Sequence, residues 1–179
     1  LCAAFAHLKY IQTVCMLPGM SDLTLPQGSI NVRDTGSGPP IVFVHGLLVD
    51  GTLWRKVVPL LSDEYRCIWP DWPLGSHTTP MHRGADLSPR GVAHLIADAL
   101  EALGLDDVTL VGNDTGGAIC QLLVTERPER VGRLALTNCD AFENFPPKAF
   151  RSLVIGARTH TLSAAMQPTP WTLTSTGSS

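Results

Sequence analysis

The sequence predicts an α/β protein with a doubly wound, mostly parallel sheet, and two observations predict it. Short apolar, β-branched runs at 41–44, 66–69, 108–111 and 131–137 alternate with stretches of helical periodicity, the pattern of parallel strands joined by crossover helices. At 108–126 a strand also turns directly into a helix through Gly112-Asn113-Asp114-Thr115-Gly116-Gly117. Such a corner lies at the carboxyl end of its strand, the edge at which open α/β sheets bind ligands.

Each element has its own signal. Residues 1–19 open on Leu, and their apolar stretch is broken by His7, Lys9 and Gln12, so no continuous signal-peptide core forms. Met20-Ser21-Asp22 reads as a natural start, which makes 1–19 an expected weakly ordered extension. Residues 29–34 form a short strand and Gly36-Ser37-Gly38-Pro39-Pro40 a turn. Ile41-Val42-Phe43-Val44 is apolar at every position, as a central strand buried on both faces requires, and it ends at His45-Gly46-Leu47. Trp54, Val57, Val58 and Leu61 then share one face of a predicted helix. Arg66-Cys67-Ile68-Trp69 supplies the next strand, ahead of a proline-rich loop. Ser88-Pro89 starts a helix whose apolar stripe, Val92, Leu95, Ile96, Ala99, Leu100 and Leu103, stops at Gly104. Beyond the corner, Ala118, Ile119, Leu122 and Leu123 carry a helix as far as Pro128, and 131–137 is the last strand.

Composition removes several functions. A formal net charge of -3 with scattered Lys and Arg offers no basic stripe to nucleic acid, and no apolar run is long enough to cross a bilayer. Cys2, Cys15, Cys67, Cys120 and Cys139 form no C-x-x-C and no metal-ligand spacing. Those inside predicted strands and helices read as small buried hydrophobes in a reducing, cytoplasmic setting. His77 and His82 belong to the loop around Pro80, and His94 lies off the stripe of its helix, so no Asp/Glu/His cluster completes a metal site. Neither metal nor cofactor is expected, and the expected partner is a small-molecule substrate.

Asp114 occupies the corner itself. An aspartate there can act simply as a helix N-cap, but capping does not require glycine at 112, 116 and 117, whereas a sharp strand-to-helix turn does. Nor is the glycine spacing the G-x-G-x-x-G of a dinucleotide site. The layout is that of a nucleophile elbow with a carboxylate in place of serine.

Taken in order, His45-Gly46-Leu47, the loop Asp71-Trp72-Pro73-Leu74-Gly75-Ser76 and the corner Gly112-Asn113-Asp114-Thr115-Gly116-Gly117 resemble the α/β-hydrolase fold family. Within it they look like the haloalkane dehalogenase and epoxide hydrolase branch, whose nucleophile is aspartate; the resemblance covers about residues 30–150. It implies that Asp114 attacks carbon to give an ester that water opens, with the backbone N–H groups of Leu47 and Thr115 facing the leaving group. It further implies elbow and loop support from His45, Gly46, Gly112, Asn113, Gly116 and Gly117, the imidazole of His45 bracing its own turn rather than reacting. Asp140 falls near the place where some members carry an acid partner, and a plain loop aspartate is an equal reading. On this pattern 20–150 is a partial hydrolase core, 151–179 the start of a cap region, and the strands after the sixth are missing.

Thr115 stands where haloalkane dehalogenases place tryptophan, and Leu48 where epoxide hydrolases usually carry proline, so both substrate classes stay open. After Asp114 the one histidine is His160, in a Ser/Thr-rich tail with Pro168 and Pro170 whose composition is that of a disordered segment. The expectation is therefore a hydrolase of a small apolar substrate acting through a covalent ester. The alternative is a truncated, catalytically incompetent fragment or binding module, prone to self-association through an open sheet edge. A serine-type esterase is disfavoured because no serine sits at the elbow.

Overall fold

The computed structural model describes residues 19–139, which form a six-stranded sheet with helices packed on it. Asp140, His160 and the segment expected to begin a cap lie outside the described residues, as do 1–18. The strands are β1 (Gly19–Leu25), β2 (Gly28–Thr35), β3 (Pro40–Val44), β4 (Arg66–Ile68), β5 (Val108–Asn113) and β6 (Val131–Thr137); the helices are α1 (Pro89–Ala102) and α2 (Thr115–Glu126). They stand in the sheet in the order β1-β2-β4-β3-β5-β6. The neighbours β4-β3, β3-β5 and β5-β6 are parallel, while β1-β2 and β2-β4 are antiparallel.

The unbroken apolar run of β3 is explained by what covers it. Val42 and Val44 join Ile68 and Leu110 in a core closed by Val92, Leu95 and Ile96 of α1 and Ile119 and Leu123 of α2. Ile41 and Phe43, pointing the other way as the period of two requires, pack with Trp54, Val58, Cys67 and Trp69. The Phe43 and Trp54 rings lie 4.9 Å apart. Burying both faces of one strand fixes its register, because a slip by one residue would exchange the two sets.

Two local expectations change. The helix read at 54–61 is a pair of short 3₁₀ turns, Gly51–Lys56 and Val58–Leu60. Pro59 has no N–H to donate and its ring collides with the carbonyl a turn earlier, so an α-helix cannot run through it. Trp54 and Val58 still point inward, but Val57 is 38% exposed. The strand β1 also precedes the one expected at 29–34. Only Leu23 and Leu25 of β1 turn toward the protein, too few to give an alternating pattern. The tight turn at Pro26 and Gln27, closed by the pair Leu25 and Gly28, lays it on β2.

By contrast α1 starts as its sequence implies, with Pro89 in the first turn and the Ser88 hydroxyl accepting from the Gly91 N–H at 3.1 Å.

Candidate active site

Strands β3 and β5 are adjacent and parallel, with Val44 opposite Gly112. The residues that follow them therefore leave the sheet side by side at its carboxyl end. At the end of β5 the chain turns through Asp114, a non-glycine residue at φ 52 and ψ -130. A conformation of this kind costs about 1–3 kcal/mol and persists only where its surroundings fix it. Two backbone hydrogen bonds do so: the Asp114 N–H donates to the Asn138 carbonyl at 3.2 Å, and the Asp114 carbonyl accepts from the Gly117 N–H at 3.0 Å.

The side chain of Asp114 makes no capping hydrogen bond to α2 and stays exposed, so the cap-only role is not the one it adopts. Close approach explains the glycines around it. A Cβ on Gly46 would lie 2.8 Å from the Asp114 Cβ and 2.9 Å from its Cγ. One on Gly116 would stand 2.5 Å from the carbonyl oxygens of Val44 and His45, and one on Gly112 2.6 Å from the Gly117 Cα. The start of α2 is thus pressed onto the end of β3, and the His45-Gly46 turn onto the Asp114 side chain.

His45 is fully buried. Its Nδ1–H donates to the Gly46 carbonyl and its Nε2 accepts from the Trp72 N–H, both at 2.9 Å. Burial is the main cause that lowers its pKa, so the ring is held neutral with both nitrogens engaged. The Trp72 indole donates in turn to the Phe43 carbonyl at 2.9 Å. These contacts tie the turn after β3 to the loop after β4.

Residues 39–157 match the family described as the alpha/beta hydrolase fold. The chain belongs to the α/β-hydrolase fold family. It is 34% identical over 112 residues to haloalkane dehalogenase 2 of Mycobacterium tuberculosis, covering 63% of this chain and 39% of that protein. It is 43% identical over 110 residues to the 2-hydroxy-6-oxo-2,4-heptadienoate hydrolase of Pseudomonas putida, covering 59% and 39% respectively. The solved epoxide hydrolase CorEH superposes on it with a TM-score of 0.66 at 25% identity, over 82% of this chain and 54% of that one. The chain spans 39% of the length of the first of these curated relatives.

Of the residues that the sequence singles out in this α/β-hydrolase chain, His45, Gly46, Gly112, Asp114, Gly116 and Gly117 come together at the two strand ends, with Asn113 and Thr115 flanking Asp114. Asp140 lies outside the described residues. Leu47 follows the point of contact directly and is 38% exposed. Among the described residues neither its N–H nor that of Thr115 has an acceptor, and an N–H opening a helix has no partner within it. Leu48 continues the turn at φ 61, its N–H donating to the Leu74 carbonyl at 2.9 Å. The Thr115 hydroxyl stands 3.5 Å from Asp114 Oδ2.

One supporting residue carries no separate role in the sequence reading. Asp71 receives Arg33 through two nitrogens at 2.6 and 3.1 Å and also accepts from the Gly51 N–H at 2.8 Å, pinning β2, the loop after β4 and the 3₁₀ turn behind His45. Its only sequence signal is an acid ahead of Trp72-Pro73 in the loop. Among the described residues no group of three or more His, Cys, Asp or Glu could hold a metal ion, and no helix is long and apolar enough to cross a membrane.

Proposed function

We propose that this chain carries the nucleophile of a hydrolase that acts on a carbon–halogen or epoxide bond of a small apolar substrate. One observation carries the reading: the exposed Asp114 carboxylate sits at a strained strand-to-helix corner and is pressed against Gly46. The haloalkane dehalogenase relative and the epoxide hydrolase likeness support it. In the proposed step an Asp114 Oδ forms a bond to the substrate carbon while the bond to the leaving group breaks. The electron pair departs as halide, or as an alkoxide that takes a proton from solvent water and leaves hydroxide, and an ester of Asp114 remains. Charge developing on the leaving group is met by the N–H groups of Leu47 and Thr115.

Opening the ester needs a base that takes a proton from water. His45 does not supply it, because both its nitrogens are already bonded inside the protein. The alternative reading, an incompetent fragment, is that the ester forms and persists. Intact-protein mass after incubation with a bromoalkane or a terminal epoxide separates these outcomes. A stable added mass on Asp114, absent from Asp114→Ala, is expected; undiminished labelling of that variant removes the proposal, and product release without an adduct establishes a complete enzyme.

A cytoplasmic setting belongs to this proposal, supported by the free thiols of Cys67, Cys120 and Cys139. So does self-association through β6. Among the described residues that strand is the edge of the sheet, and its Leu134 and Leu136 are 37% and 43% exposed; light scattering over a range of concentrations checks it.

A further inference from the structure

The last residues of β6 act on the corner in a way that neither the sequence motif nor the family match assigns. Asn113, the last residue of β5, is paired with Thr137, the last of β6. Its Nδ2 donates to the Thr137 carbonyl at 3.0 Å and to the Thr137 hydroxyl at 3.2 Å, and that hydroxyl donates to the Gly112 carbonyl at 3.2 Å. The next residue, Asn138, takes the left-handed conformation at φ 42 and aims its carbonyl at the Asp114 N–H, 3.2 Å away. Ladder pairing alone stops at the end of a strand. Here side chains and one reversed residue carry it past Asn113 to the corner residue.

We infer that Thr137, through Asn113 and Asn138, is a positioning residue that holds Asp114 in its turned conformation and so aims the carboxylate. The inference rests on the proposed nucleophilic role of Asp114. Its physical basis is that Asp114 and Asn138, both non-glycine residues at positive φ, are joined by one hydrogen bond, while Thr137 holds the Gly112 carbonyl and the Asn113 side chain that lead into the corner. Removing the hydroxyl deletes the donor to Gly112 and one acceptor of Asn113, yet leaves the methyl and the strand pairing in place. Misplacement of a reacting group by about 1 Å lowers a rate on the order of 100-fold.

The test compares the full chain with Thr137→Val and Thr137→Ser, using a bromoalkane as probe. The rate of mass addition at Asp114 is followed against probe concentration. In Thr137→Val the limiting rate is expected to fall about 10- to 100-fold with little change in the half-saturating concentration, and Thr137→Ser, which keeps the hydroxyl, restores it. A merely structural role would lower the folded fraction instead and leave the limiting rate per folded molecule unchanged, and that result overturns the inference. Amide hydrogen exchange gives a second readout independent of any chemistry. In Thr137→Val the Asp114 amide is expected to exchange faster while that of Leu110 does not, and equal protection of Asp114 in the two proteins also overturns the inference. Should no protein be labelled while the exchange difference appears, it is the nucleophile reading that fails and the positioning of Asp114 that stands.

Discussion

The Cα of Gly46 and the side chain of Asp114 are in direct contact, so that a methyl group on residue 46 would overlap the aspartate. Gly46→Ala must therefore move either the turn after β3 or the carboxylate itself. Since His45 on one side is locked by hydrogen bonds to Gly46 and Trp72, the freely exposed carboxylate is the part that yields. On the proposed nucleophilic role of Asp114, the expected result is a drop on the order of 100-fold in its labelling, with a loss of stability of only about 1–3 kcal/mol as for other overpacked sites. Adduct mass and urea denaturation on one sample separate the two effects, and labelling at the unsubstituted rate would show that the contact has no bearing on the chemistry.

Much of this arrangement was legible in the sequence wherever one residue's chemistry decides a local shape. Ser88-Pro89 marked the start of α1, and the glycines around Asp114 marked a turn that only close backbone packing requires. The unbroken apolar run of β3 announced two covered faces. What escaped leaves no mark on apolar periodicity. The strand β1 is mostly exposed and held by its pairing with β2, so its residues carry no period. The helical spacing of Trp54, Val57, Val58 and Leu61 was real for Trp54 and Val58 but could not reveal how Pro59 would tighten the turn. The anchoring of Asp71 by Arg33, far back on β2, and the tie of Thr137 to Asn113 exist only once the strands are side by side.

The buried imidazole makes stability depend on pH. The pKa of His45 in the folded protein lies below its ordinary 6.5, so under mildly acidic conditions the unfolded chain binds a proton that the folded one does not. Its contribution is complete above about pH 6.5 and is lost as the pH falls toward the folded value. The urea midpoint is expected to decline between pH 7.5 and 5.5. His45→Gln should be less stable at pH 7.5 by about 1–3 kcal/mol through its lost hydrogen bonds, yet show a flatter decline. An unchanged slope in the variant would mean that His45 takes up its proton without unfolding.

Asp71 gives the ion pair whose removal should matter. The side chains of Arg33 and Asp71 are only 17% and 14% exposed, and the same carboxylate serves the Gly51 N–H. Asp71→Ala strands a largely buried guanidinium and an unpaired N–H, with an expected cost of about 2–4 kcal/mol. Asp106 pairs with Arg130 at 2.8 Å but is 78% exposed, so Asp106→Ala should cost well under about 1 kcal/mol. Similar urea midpoints for the two variants would refute this ranking.

Thiol chemistry reports how tightly the packing beneath the corner is closed. Cys67 is fully buried and its pKa is pushed up to about 11 by burial; Cys120, against Gly112 under the turn, is also fully buried and pushed higher still. Thiolate, not thiol, is the species that alkylates, so at pH 8 both should resist iodoacetamide while the protein is folded. Cys139, two residues beyond the end of β6 and against Gly117, is half-exposed, and access alone places it ahead of the other two. Peptide mapping after a short exposure is expected to find the label on Cys139 and not on Cys67 or Cys120, and to find all three labelled once urea is added. Early alkylation of Cys120 would show that the Gly112 to Gly117 turn opens in the native state, and the strained backbone of Asp114 would then have no fixed support beneath it.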